Sequence, residues 1–385
     1  MYFKEIPGKE QEKQQLISAA DEGKIPHAQM LLGKSGSGHL ALALAYASYI
    51  MCKDRIVGLD SCGKCTACTK SHKYGHPDLH FALPVIKAAS LKRDETTSNA
   101  WLKEWRTAIS EEPFIDIVRW QARMGAENSQ PNINKKECVE IVHKLGMKSF
   151  ESDFKVLILW LPEYLGKEGN RLLKLIEEPS PDTIIIMVAD RQEDILNTII
   201  SRVQITKVSA FSADEIGRYI GELEGNIEAG LARQIGVMAD GNLGLAIHML
   251  EGQEADYSDA LFQWLRVAYK MEPKALISWV DDMAKWGRER QKNFLAYGLH
   301  FFREYLFMLL SGSENIKLSA KEKQTALKMQ KTISPEKAEK LVNLFDKTHA
   351  AILRNANAKI TFMADSMEIA YIMRDLVKDG NIYQV

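Results

Sequence analysis

The sequence predicts an α/β domain built on a parallel sheet, followed by helical segments through its second half. Three observations carry that expectation. First, a short apolar strand, Ala28-Gln29-Met30-Leu31-Leu32, leads into the glycine-rich turn Gly33-Lys34-Ser35-Gly36-Ser37-Gly38 and then an apolar helix over residues 40–51. Second, two more apolar runs of strand length, 155–159 and 183–189, flank an amphipathic segment; strands alternating with helices argue a doubly wound sheet. Third, beyond Tyr257 apolar residues recur at helical spacing, through Leu261, Trp264 and Leu265 and again through Leu299, Phe302 and Leu306 to Leu310.

Strand, glycine-rich turn and helix N-terminus together make the context of a phosphate-binding loop, because the backbone N–H groups then face phosphate oxygens. In a working loop the last glycine is followed by Lys, which reaches the β- and γ-phosphates, and by Ser or Thr, which binds Mg²⁺. Here His39 and Leu40 hold those places. Imidazole is shorter and mostly uncharged at neutral pH, and leucine offers a metal no oxygen. The triplet Gly33-Lys34-Ser35 is no substitute, since it would need the motif's first glycine at Ala28, inside the strand. Gly33, Gly36, Gly38, His39 and Leu40 are therefore read as a degenerate loop, and no bound nucleotide is expected.

The run 155–159 reinforces that reading. In a phosphate-loop ATPase the corresponding strand ends in carboxylates for Mg²⁺ and the attacking water. This one ends Trp160-Leu161-Pro162-Glu163, with its acid late and beyond a proline. Next, residues 170–178 read as an amphipathic helix ended by Pro179. Residues 183–189 read as a strand covered on both faces.

With 385 residues the chain suits two or three domains, and 46% hydrophobic content fills sizeable cores. A net charge of −1 advertises no global field for nucleic acid. The first residues hold no apolar signal region, and the apolar run at 40–51 is shorter than the roughly 20 residues a bilayer requires. A cytoplasmic chain without membrane contact is expected.

Four of the five cysteines, Cys52, Cys62, Cys65 and Cys68, fall within one short stretch. In a reducing compartment such a cluster points to metal rather than disulfides. Four thiolates with no open position describe structural Zn²⁺. Reduced thiols, an Fe–S cluster, or His72 or His76 replacing one cysteine remain alternatives. Cys138 stands alone on an expected helix over 135–148 and reads as a core residue.

Residues 88–130 break the sheet pattern. Trp101, Trp105 and Ile109 lie on one helical face, so a helical insert packed onto the sheet edge is expected. At 209 the chain leaves the sheet, with Ser212 as a candidate N-cap.

In this order the motifs resemble those of the bacterial DNA polymerase III clamp-loader subunits of the AAA+ class. Those carrying the resemblance are Pro26-His27-Ala28 before the loop, the cysteine module after its helix, Leu172-Leu173-Lys174 with Glu177-Glu178-Pro179, and Ser201-Arg202. Gly241-Asn242-Leu243-Gly244 resembles the family's sensor 2 turn, and Arg354-Asn355-Ala356-Asn357-Ala358-Lys359 a signature of its C-terminal helical collar. The family's ATPases keep a loop Lys, two Walker B acids and a sensor 2 Arg, where this chain has His39, Trp160-Leu161 and Gly244. Its delta-prime type likewise lacks a working site but keeps the Ser-Arg pair.

The resemblance implies an AAA+ domain over 1–208 with a zinc module at 52–68 and the insert at 88–130. A helical lid at 209–256 and an all-α collar domain at 257–385 complete it. It implies a non-hydrolysing stator whose Arg202 acts in trans as an arginine finger. Implied partners are gamma/tau-like ATPase subunits and a delta subunit, with a sliding clamp and primer-template DNA reached through the complex. The competing readings are an active gamma/tau-like ATPase and a zinc-dependent DNA-binding module on a relic ATPase fold.

Overall fold

In a computed structural model the chain is described over residues 1–375 apart from 88–95, 126–129, 225–226, 228, 252–256, 313–315, 317, 319 and 355. Residues 88–95 and 126–129 of the expected insert, and Asn355 of the motif at 354–359, thus lie outside the described residues. The chain divides into two compact units, Met1–Tyr219 with Ala239–Ile247, and Ile220–Met238 with His248–Val385.

In the first unit β1 (Ala28–Leu32), β2 (Leu79–Ala82), β3 (Lys155–Trp160), β4 (Thr183–Ala189) and β5 (Gln204–Lys207) form one parallel sheet. Their spatial order is β2-β3-β4-β1-β5. β3 and β4 are buried at every residue, as expected of central strands covered on both faces. Between β1 and β2 lie α1's successors: α1 (Glu10–Asp21) precedes the sheet, and α2 (His39–Met51) and α3 (Thr66–His72) follow the glycine-rich turn. Every residue of α2 is buried, consistent with its apolar circumference, and it packs on β1, β3 and β4.

The insert supplies α4 (Leu102–Glu111) and α5 (Ile117–Arg123), and α6 (Lys135–Gly146) leads towards β3. Trp105 anchors α4 to the sheet: its ring lies 4.8 Å from Trp160 of β3, 6.4 Å from Phe81 of β2 and 5.1 Å from Trp120 of α5. Cys138 is fully buried in the core on the sheet's other face, with Ile141, Leu157 and Met187. Lys155 is buried because its Nζ donates to the carbonyls of Leu145 (2.7 Å) and Met147, satisfying the C-terminal end of α6 with a cation.

The amphipathic helix expected over 170–178 is corrected. Residues Pro162–Leu172 form a 3-10 stretch broken at Gly166, and only α7 (Leu173–Glu177) is α-helical. Gly169 within this stretch lies close to Ile199: a Cβ there would lie 2.9 Å from the Ile199 side chain. α8 (Asn197–Ile200) then brings the chain to β5.

Ser212 and Glu215 form the reciprocal cap of α9 (Ala213–Glu224): Ser212 N–H donates to Glu215 Oε2 at 2.7 Å, and Glu215 N–H to Ser212 Oγ at 3.2 Å. From there all regular elements among the described residues are helical. They are α10 (Ala229–Met238), α11 (Leu243–Glu251), α12 (Tyr257–Lys270), α13 (Pro273–Ala284), α14 (Arg288–Ser311), α15 (Ala320–Met329), α16 (Pro335–Leu353) and α17 (Ala358–Arg374).

The second unit's core centres on Trp264, stacked on Trp279 at 4.8 Å, with its Nε1 donating to Ser366 Oγ at 2.8 Å. Gly298 lets α14 close onto Phe345 of α16, because a Cβ there would meet the ring at 2.2 Å. Leu261, Trp264, Leu265, Leu299 and Phe302 are core residues, whereas Leu310 is 70% exposed. The apolar stripe read through Leu310 ends at Leu309, which packs part-buried against the core. No helix among the described residues is long and apolar enough to cross a membrane.

Candidate functional site

The glycine-rich turn sits at the carboxyl end of β1, between β4 and β5, the position where open parallel sheets bind ligands. Its geometry is loop-like: Gly36 and Gly38 take left-handed backbone conformations at φ of 72° and 90°, open to glycine without steric cost. Other parts of the chain approach it closely. Leu243 N–H donates to Gly36 carbonyl at 3.1 Å. A Cβ on Gly36 would lie 1.8 Å from Asn242 Oδ1, and one on Gly38 3.2 Å from the Phe211 ring and 3.6 Å from Phe114. Residues 36–40 are all buried.

His39 does not face open solvent as a lysine reaching for phosphate would. It is 4% exposed, with Nε2 2.8 Å from Asp190 Oδ1 and Nδ1 3.1 Å from Ser37 Oγ. A carboxylate only accepts, so Nε2 donates to it, and in the neutral ring Nδ1 accepts from Ser37. Ser37, His39 and Asp190 stand in the order of a nucleophile relay, but Ser37 is 0% exposed, so no substrate reaches its hydroxyl. Glu163, the late acid after β3, faces the backbone. Its Oε1 accepts from the N–H groups of Asp190 (2.6 Å) and Arg191 (2.7 Å). Burial pushes its carboxyl above the usual range, against those hydrogen bonds.

Gly244, whose turn the sequence singled out, lies against backbone. A Cβ there would meet Phe114 carbonyl oxygen at 2.3 Å. Phe114 is itself buried against Phe211 and Tyr219, with ring centroids 6.2 and 6.4 Å away. Gly244→Ala is therefore expected to destabilise the protein by about 1–3 kcal/mol, as overpacking does. A urea midpoint equal to wild type would show that the Phe114 carbonyl does not occupy this place.

The four clustered cysteines come together as expected. Their Sγ atoms all lie within 4.8 Å of one another, with Cys52–Cys65 at 4.0 Å and Cys62–Cys68 at 3.9 Å. Zn–S bonds of about 2.3 Å in a tetrahedron put sulfurs about 3.8 Å apart, so the set fits a metal ion of that kind. Backbone N–H groups of Cys62, Lys64, Cys65 and Cys68 point at the sulfurs of Cys52, Cys62 and Cys65 at 3.4 Å. Burial raises the Cys52 and Cys68 thiols. It acts the same way on Cys65, where hydrogen bonds from Cys68 and Lys53 prevail and bring the thiol down to about 7. A bound cation favours all four thiolates. His72 and His76 are engaged elsewhere: His72 Nδ1 lies 3.2 Å from the Met1 amino group, and His76 Nδ1 accepts from Asp78 N–H at 3.2 Å.

Arg202 stands on the turn between α8 and β5, 36% exposed at its side chain. Its Nη1 donates to Thr198 carbonyl at 2.9 Å and Ser201 Oγ at 3.1 Å, and its Nε to Glu177. Phe114 and Asp190 escape a motif-based reading, whereas Asn242 lies in the turn that the sequence singled out. Asp190 carries a signal, a carboxylate directly after a buried strand, whereas nothing in the local sequence of the insert says that Phe114 returns to the loop.

Residues 8–212 match the family described as DNA polymerase III, delta subunit. The chain is 28% identical over 195 residues to DNA polymerase III subunit delta′ of Haemophilus influenzae, covering 51% of this chain and 46% of that protein. It is 25% identical over 189 residues to the subunit of the same name from Bacillus subtilis, covering 49% and 44%. The chain thus spans about half the length of the curated relatives it matches. A crystal structure of a DNA polymerase III gamma subunit-related protein from Thermotoga maritima aligns over 92% of this chain and 99% of that one, at 16% identity and a TM-score of 0.40.

Proposed function

Because the chain belongs to the DNA polymerase III delta-subunit family, we propose that it is a non-hydrolysing stator of the delta-prime type in a clamp-loader complex. It assists ATP-dependent loading of a sliding clamp onto primed DNA and lends Arg202 to a neighbouring ATPase. The observation that supports this reading is the setting of the loop: Asn242-Leu243 and Phe211 with Phe114 approach Gly36 and Gly38 closely, and His39 is tied to Asp190. A triphosphate needs the loop's N–H groups open and a cation beside them. Neither is present. The competing reading, an active gamma/tau-like motor, requires both.

The partners are gamma/tau-like ATPase subunits and a delta subunit. The lid and collar divisions at 209–256 and 257–385 belong to the same proposal. In it, Arg202 supplies the always-charged planar fork that stabilises charge on transferring phosphoryl oxygens. Cys52, Cys62, Cys65 and Cys68 hold one structural Zn²⁺, which stiffens the segment beside α2 and supplies no chemistry.

Titration of the isolated chain with Mg·ATP tests the carrying observation. No saturable binding tighter than about 1 mM is expected, and no phosphate release. Micromolar binding with turnover lost in His39→Ala would overturn the stator reading.

A further inference from the structure

Resting on the reading of Arg202 as a finger, we propose that Glu177 is its positioning residue. The guanidinium has five N–H donors in a fixed plane. Three are committed within the chain: Nε to Glu177 Oε1, and Nη1 to Thr198 carbonyl and Ser201 Oγ. The Nη2 group has no partner among the described residues, so two donors on one corner of the fork stay available.

Thr198 and Ser201 belong to the arginine's own turn and move with it. Glu177 comes from the end of α7 and is the contact that fixes the turn's guanidinium to a separate element. Its carboxylate holds the Nε edge, so the plane cannot swing about the long side chain, and the free corner keeps one direction. Both side chains are substantially exposed, at 36% and 45%. The pair therefore adds little to folding, and its value lies in orientation. An arginine held in the reactive geometry before the neighbour's phosphate arrives loses less freedom at the transition state.

The test is DNA-stimulated ATP turnover by the reconstituted complex, with assembly checked by size-exclusion chromatography. Variants are Glu177→Ala, Glu177→Gln, Arg202→Ala and the Glu177→Ala/Arg202→Ala pair. Glu177→Ala is expected to lower turnover at the one site Arg202 serves about three-fold, the scale of an exposed ion pair, so total turnover falls by less than in Arg202→Ala, with KM for ATP unchanged. Glu177→Gln, which keeps an acceptor oxygen for Nε, should recover part of that loss. In the Arg202→Ala background Glu177→Ala should change nothing further, because it acts through the arginine.

A normal kcat in Glu177→Ala beside a large loss in Arg202→Ala overturns the positioning role and spares the finger. So does a faster Glu177→Ala complex, which would mean that the carboxylate sequesters the arginine. An undiminished rate in Arg202→Ala removes the finger and this proposal with it. A full Glu177→Ala effect persisting without Arg202 also overturns it.

Discussion

Arg202→Ala is expected to leave the complex assembled while lowering ATP turnover at the site it serves by about 10³-fold or more, the scale of arginine fingers in other NTPases. Assembly should survive because the side chain is part-exposed and its partners are two groups of its own turn and one carboxylate. Losing such contacts costs about 1 kcal/mol or less. Arg202→Lys should rescue little, since an ammonium cannot fork onto two oxygens. The measurement is phosphate release with clamp and primed DNA present, and total turnover should fall by the share that this one site contributes. An unchanged rate in both variants would remove the finger assignment while leaving the stator reading intact.

Replacing a cysteine of the cluster carries the other large effect. Cys68→Ala removes a fully buried sulfur from a set whose four donors lie within 4.8 Å of one another. Zinc content should drop from about one per chain to near zero, because three thiolates leave the tetrahedron open. Metal binding in small cysteine modules is worth about 10–16 kcal/mol of apparent folding free energy. The knuckle and its loop, 53–64, should therefore become protease-sensitive, with a lowered Tm. Cys138→Ala serves as the contrast: it removes a core sulfur remote from the cluster and should leave the metal content unchanged. A Cys68→Ala protein without zinc that matches wild type in Tm and protease resistance would show that the cluster is not a folding device.

The sequence made the sheet's centre legible because burial on both faces writes itself as continuous apolar runs. β1, β3 and β4 appear where residues 28–32, 155–159 and 183–189 place them, and β3 extends one residue further to Trp160. The edge strands β2 and β5 are four residues each, too short to show a period, and they escaped. The amphipathic pattern at 170–178 was present but did not decide between α and 3-10 winding, since residues three apart share a face in both.

For the site, identity and spacing were enough to find the cysteine cluster. What packs around the glycine-rich loop was less legible. The turn at 241–244 stood out as a motif, but Phe114 reaches Gly38 from the insert, and such long-range placement has no local signature. The partner of Arg202 was half visible: Glu177 could be read as a helix-end acid, but only the turn geometry brings it to the guanidinium.

The seating of Gly244 against the Phe114 carbonyl reaches beyond the present state of the molecule. On the stator reading proposed above, an ATP site could be rebuilt residue by residue only where room for each new side chain remains. At 244 a Cβ would meet the Phe114 carbonyl oxygen at 2.3 Å, so any longer side chain there requires the backbone of the insert to move. Position 244 and the backbone at 114 would therefore have to change together.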